Sequence, residues 1–148
     1  MANYVFPSTT FKPADSVNQQ VVKGGAAIAV GDAVYRDATL GKYFLSDANN
    51  ATPASGGSTS PQTVDGVASS PCAGDGCFFG VATGVNAVID TGATTTQVMA
   101  AGDVLVLSAT AGKLQPAPAD SGAKVVIVAT AVTATQMKLV LATGGTIA

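Results

Sequence analysis

The sequence predicts an all-β protein, a small barrel or sandwich of short antiparallel strands. Apolar, β-prone runs of roughly four to six residues recur along the chain, with glycine- and aspartate-containing turns between them. No window shows the sustained apolar spacing of an amphipathic helix. Part of the chain also repeats an earlier part, which favours two similar β-units within one domain.

Residues 1–20 are predicted to form an extended N-terminal arm. Pro7 and Pro13 exclude a helix and discourage a central strand. The arm nevertheless carries an apolar cluster, which a disordered terminus does not need. We therefore expect these side chains to dock on another surface, as candidate contacts to a partner or between subunits. They are Tyr4, Val5, Phe6 and Phe11.

Residues 21–148 are predicted to form a single β-domain. Residues 46–63 are rich in Ser, Thr, Asn, Gly and Pro, which indicates a long exposed loop. The predicted strands and β-prone runs are Ala26–Val30, Ala33–Tyr35, Tyr43–Leu45, Val64–Ala68, Cys77–Thr83, Val85–Ile89, Val104–Leu107, Val125–Ala129 and Met137–Leu141.

An internal repeat stands out from the composition. Gly31-Asp32 precedes an apolar strand and is followed by Gly41-Lys42, and Gly102-Asp103 is followed by Gly112-Lys113 at the same distance. Glycine supplies the free φ that a tight turn needs, and aspartate bonds the nearby backbone. The structural turn residues are therefore Gly31, Asp32, Gly41, Gly102, Asp103 and Gly112, in two pseudo-symmetric halves.

The composition excludes several classes of function. The chain has 148 residues, 47% of them hydrophobic and only 11% charged, and it contains no His, Trp or Glu. Without His there is no Ser-His-Asp triad and no His metal site, so we expect no metal and no cofactor. The net charge of −2 predicts no nucleic-acid partner. No apolar run is long enough for a membrane span, and no signal peptide is visible.

Two local motifs carry possible chemistry. Val88-Ile89-Asp90-Thr91-Gly92 resembles the active-site signature of aspartic peptidases, in which two close carboxylates share a proton. The late position of Asp90 and the absence of a glycine-rich flap favour a turn between strands instead. Cys72 and Cys77 flank a short loop. Without a secretion signal we expect two free thiols, with a disulfide as the alternative.

The assembled segments resemble the small capsid decoration, or cement, proteins of tailed double-stranded DNA bacteriophages. The resemblance runs from about Val21 to Pro116, which is roughly two-thirds of the chain, and rests on the order and spacing of common turn residues. The segments that carry it are residues 22–26, 30–35, 41–43, 64–68, 80–84, 101–105 and 111–116.

The resemblance implies a β-rich virion protein that binds the outer surface of the expanded head and stabilises contacts between major capsid subunits, without catalysis. It implies a homotrimer at three-fold and quasi-three-fold positions, made in the host bacterial cytoplasm and located on the outer capsid surface. The arm would supply the capsid contacts. The alternatives are a head or tail fibre, or an adhesin-like β-module that binds a cell surface, and more remotely a peptidase that uses Asp90.

Overall fold

The computed structural model describes residues 2–14 and 18–146, the last without its side chain. The all-β prediction is confirmed: two antiparallel sheets form a sandwich that does not close into a barrel. Positions 1, 15–17, 147 and 148, which fall within the predicted arm and domain, lie outside the described residues. The strands are β1 (Lys12–Pro13), β2 (Gln19–Lys23), β3 (Ala33–Arg36), β4 (Tyr43–Leu45), β5 (Gly66–Ala68), β6 (Phe78–Ala82), β7 (Val88–Asp90), β8 (Val104–Leu107), β9 (Leu114–Pro116), β10 (Lys124–Thr133) and β11 (Gln136–Thr146).

The two sheets share one topology. The five-stranded sheet has the order β2-β6-β5-β3-β4, and the six-stranded sheet has the order β1-β7-β11-β10-β8-β9. Apart from β1, each strand of the second sheet follows its counterpart in the first by five places in the chain. We call β2–β6 the first unit and β7–β11 the second unit. The sequence repeat is therefore one part of a duplication that covers five strands.

The strand registers of the two units also match. Ala33 pairs with Val67 in the first unit, and Val104 pairs with Thr130 in the second. Next to these pairs, the Gly31 amide donates to the Ala68 carbonyl, as the Gly102 amide donates to Ala131. Backbone pairing is thus conserved between the halves, although most of the side chains differ.

The main core lies between the sheets and draws residues from both units. Ala33, Val67 and Ala82 contribute from the first sheet, and Leu105 and Leu139 from the second. A second, smaller core covers the opposite face of the first sheet. It contains Ile28, Val34, Ala68, Cys72, Phe79 and Val81, and the segments 24–30 and 69–77 close over it. The inner strands β3, β5 and most of β6 are therefore buried on both faces, whereas the edge strand β2 is largely exposed.

Three local expectations need correction. Residues Ala26–Val30 form no strand: Ile28 alone makes an isolated bridge, to Cys72, and fills the second core. Gly24 and Gly25 precede this segment and lead it across the sheet rather than along it. Conversely, β2 begins at Gln19, within the predicted arm. The arm itself contains a turn, closed by the Phe11 amide on the Pro7 carbonyl, rather than one extended run.

Candidate functional site

The four turn glycines occupy matching conformations in the two units. Gly31 and Gly102 have φ of 88° and 90°, and Gly41 and Gly112 have φ of 68° and 76°. Side chains on L-residues are strained in this left-handed region, and glycine is not. Gly31 also faces the arm, since a Cβ there would lie 2.9 Å from Cδ2 of Phe6.

Each of the two turn aspartates accepts a hydrogen bond from the backbone amide three residues before it. Asp32 Oδ2 accepts from the Ala29 amide at 2.9 Å, and Asp103 Oδ2 accepts from the Ala100 amide at 2.9 Å. Their second roles differ. Asp32 is almost fully buried, and its Oδ1 lies 2.7 Å from the half-exposed ammonium of Lys113. This ion pair joins the first unit to the Gly-Lys turn of the second.

Asp37 is a structural residue that the sequence analysis did not identify. Its side chain is fully buried, and its two oxygens accept four backbone N–H groups at 2.9–3.0 Å. Oδ1 holds the turn at Thr39 and Leu40, while Oδ2 holds Ser58 and Thr59 in the long loop. Burial raises the pKa of the Asp37 carboxyl, but these four donors outweigh it and hold the pKa below its ordinary value.

A sequence signal for Asp37 exists in the repeat. Residues 37–42 read Asp-Ala-Thr-Leu-Gly-Lys, and residues 108–113 read Ser-Ala-Thr-Ala-Gly-Lys. Ser108 Oγ accepts from the Thr110 amide at 3.0 Å, as Asp37 Oδ1 accepts from Thr39. The loop that follows is longer in the first unit, where the additional carboxylate oxygen holds it. Residues 46–63 are therefore a loop that Asp37 holds at Ser58 and Thr59, with Ser46 and Ala48 buried.

The predicted contact residues of the arm are divided by the fold. Tyr4 and Phe11 are 3% and 4% exposed and belong to the main core, and Phe6 packs against both rings, with centroid distances of 6.3 and 5.3 Å. In this conformation neither Tyr4 nor Phe11 is available to a partner. Val5 is 49% exposed and forms an isolated bridge with Thr95. The turn at residues 7–11 directs the rings back onto their own chain.

Two cavities flank Tyr4. The first, of about 380 Å³, lies between the arm and the Asp32–Lys113 ion pair. The second, of about 390 Å³, extends toward Val98 and Asp103. Burial raises the pKa of the Tyr4 hydroxyl, and the Asp103 carboxylate raises it further. Among the described residues, neither Tyr4 Oη nor the nearby buried Asn3 Oδ1 has a hydrogen-bond partner. The charged groups lining the first cavity, Asp32 and Lys113, neutralise each other.

Asp90, the residue of the peptidase-like motif, lies inside a sheet. It ends β7, opposite Lys12 of β1 and Gln136 of β11. Its Oδ1 accepts from Gln136 Nε2 at 2.6 Å, and the hydroxyl of the buried Thr91 donates to the Gly92 carbonyl at 2.8 Å. The polar side chains of the motif are thus engaged in hydrogen bonds within the chain.

The expectation of two free thiols is wrong. Cys72 and Cys77 form a disulfide, with their Cα atoms 5.7 Å apart. The pair lies in the second core, where the Ile28 amide donates to the Cys72 carbonyl at 2.9 Å. A Cβ at Gly24 would collide with Cys72 Sγ, so a glycine there lets the backbone approach the sulfurs. The prediction of free thiols rested on the expected compartment of synthesis. The loop between the two cysteines brings them close enough to form the disulfide.

The remaining feature is a set of exposed valines and one exposed phenylalanine. Val98 is 79% exposed, Val21 is 77%, Phe78 is 70% and Val85 is 64%.

The described residues contain no cluster of metal-ligating side chains and no helix that could span a membrane. The chain matches no family model, no curated protein and no solved structure.

Proposed function

We propose that this chain is a capsid decoration protein of a tailed bacteriophage. It binds the outer surface of the expanded head, without catalysis, and stabilises contacts between major capsid subunits. The observation that carries the proposal is the matched geometry of the repeated turns. The segments behind the resemblance build equivalent positions in two units, so they specify a fold rather than a local site.

The use of the carboxylates supports a structural role. Every aspartate among the described residues accepts at least one hydrogen bond from its own chain, and four of them, Asp32, Asp37, Asp47 and Asp103, close turns in this way. An acid–base or nucleophilic site needs carboxylates directed at a substrate. These side chains instead stiffen the surface turns, which suits a protein that must resist deformation on a shell.

The capsid contacts are assigned to the exposed residues beside the arm. Val5 and Val98 are 49% and 79% exposed, and both line cavities next to Tyr4. Apolar side chains in such positions gain free energy when a partner covers them. On the shell, three copies assembled as a trimer around a three-fold axis would add three such contacts, which raises the overall affinity through effective concentration.

The test is binding to expanded heads that lack the chain. Purified protein is mixed with the heads, which are then sedimented, and bound protein is measured against the major capsid protein. We expect saturable binding with copies comparable to the major subunit. The double variant Val5→Lys, Val98→Lys should bind at least about tenfold more weakly, because a buried ammonium is costly. Val85→Lys, at another exposed valine, is the matched control and should bind normally.

No sedimentation with heads at saturating protein would contradict the proposal. An inventory of gradient-purified virions adds an independent check. Copies comparable to the shell subunit agree with decoration. A few copies per particle contradict it and favour a fibre or adhesin component, and absence from the particle contradicts both.

A further inference from the structure

The two sheets end in four edge strands, and three of them are short or covered. β1 has two residues, and its Pro13 has no N–H to offer. β9 is covered where the Tyr4 amide donates to the Leu114 carbonyl at 2.8 Å. β4 is covered in the same way, where the Gly25 amide donates to the Tyr43 carbonyl at 2.9 Å. Such devices prevent edge-to-edge association.

Within the part of the chain that the structure describes, the fourth edge strand, β2, has none of these protections. It has five residues, contains no proline and pairs with β6 in an unbroken register, without a bulge. The Asn18 carbonyl accepts from the Thr83 amide at 2.9 Å, which shows that the backbone groups of residue 18 point toward β6. Because bonding alternates along an antiparallel pair, the backbone groups of Gln19, Val21 and Lys23 point away from β6.

The duplication shows what such an edge accepts. The counterpart of β2 in the second unit is β7, and the outer edge of β7 pairs antiparallel with β1. The Ala14 amide extends this pairing by donating to the Val88 carbonyl at 2.9 Å. The same position beside β2 holds no strand among the described residues. Because β7 binds an antiparallel strand at the matching edge, we expect the open edge of β2 to accept one as well.

The side chains beside the open edge are apolar and exposed. Val21 lies opposite Gly80, and Phe78 lies opposite Lys23, so Val21 and Phe78 are diagonal neighbours on one face of the sheet. They are 77% and 70% exposed. Gly80 has no side chain, and the Gln19 amide and the Ser69 hydroxyl, which are hydrogen-bonded to each other, lie over it. An added strand would cover both side chains as well as satisfying the backbone.

We propose that β2 pairs antiparallel with β2 of a second copy, across a two-fold axis at Val21. The segment is self-complementary in this register. Val21 meets Val21, Gln19 meets Lys23, and no like charges face each other. The outward groups of both strands would form about six backbone hydrogen bonds. The net charge of −2 opposes association only weakly. The first sheets of the two copies then form one continuous sheet.

The test uses the isolated protein and does not depend on the capsid proposal. Sedimentation equilibrium from about 1 µM to about 1 mM measures the association constant. Wild type should show a monomer–dimer equilibrium. Val21→Lys should weaken dimerisation at least about tenfold, because two lysines then face each other at the axis. Val85→Lys, at an exposed valine outside β2, should dimerise like wild type.

A charge swap tests the register itself. Val21→Lys and Val21→Asp should each dimerise more weakly than wild type, and an equimolar mixture of the two should recover a one-to-one dimer. The amides of Gln19, Val21 and Lys23 in wild type should exchange more slowly as concentration rises, a readout that needs no variant. A wild-type protein that stays monomeric, a trimer whose β2 amides exchange freely, or a Val21→Lys protein that dimerises normally would each overturn the proposal.

Discussion

At the scale of single residues, the buried carboxylate of Asp37 has the largest organising role. It replaces the hydroxyl of Ser108 at the matching position of the second unit and keeps that residue's bond to the turn. Its additional oxygen reaches Ser58 and Thr59, more than twenty positions along the chain. One substitution between the halves thus accompanies a longer loop and holds it in place.

Asp37→Asn should therefore lower the melting temperature by several degrees. The new amide NH₂ replaces one acceptor oxygen and faces two backbone N–H groups, which lose their partner while buried. Asp47→Asn is the matched control, because Asp47 Oδ1 accepts from the nearby Asn49 amide within an exposed turn. Thermal unfolding at pH 7 measures both variants. Equal losses for the two would contradict the role assigned to Asp37.

The lowered pKa of Asp37 predicts that the stability difference between wild type and Asp37→Asn depends on pH. The pKa values of Asp37 and Asp75 lie below the ordinary 3.8, through the four backbone donors in one case and the Lys42 ammonium in the other. A carboxyl with a lowered folded-state pKa stabilises the fold above its unfolded pKa, and this stabilisation is lost as pH falls through the folded value. The difference between wild type and Asp37→Asn should thus be constant above about pH 5 and shrink below about pH 4. A stability difference that grows as the pH falls would contradict the stabilising role of the ionised Asp37 carboxylate.

At the scale of elements, apolar runs predicted most strands, and the turn spacing predicted the repeat. Phe78–Ala82 and Val104–Leu107 are apolar and lie where expected. Gln19–Lys23 was missed because its pattern is mostly polar and its pairing depends on a distant strand. Partners remote in the chain also explain the other errors. Nothing local to Tyr4 shows whether its ring faces its own core or a neighbour.

The N-terminal segment is an element of the domain rather than a free arm. The apolar residues of the arm predict contacts with another surface, yet Tyr4 and Phe11 complete the main core of their own chain. Phe11→Ala should destabilise the protein by about 3–5 kcal/mol, because it leaves a cavity that the sheets cannot close. Val5→Ala, at a half-exposed neighbour, should cost less than about 0.5 kcal/mol. Urea unfolding compares them, and a Phe11→Ala midpoint equal to that of wild type would restore the free-arm interpretation.

At the scale of the whole molecule, the two units are similar in topology but not independent. Their sheets share the main core, and backbone bonds cross between them. The Ala33 amide donates to the Gly112 carbonyl at 2.8 Å, and the Gly112 amide donates to the Ser46 carbonyl at 2.7 Å. The Asp32–Lys113 ion pair lies beside these bonds. Each half thus supplies the surface that the other half needs to cover its apolar face.

Cutting the chain between the units should therefore yield two fragments that do not fold alone. In residues 1–84 the face bearing Ala33 and Val67 would be open to water, and β1 would lack β7. A sheet with one uncovered apolar face lacks the burial that offsets chain entropy. Circular dichroism should show little β-structure in either fragment and its recovery in a one-to-one mixture of residues 1–84 and 85–148. Cooperative unfolding of a single fragment would make the units separate domains, and the shared core would then be an interface between them rather than the condition for their folding.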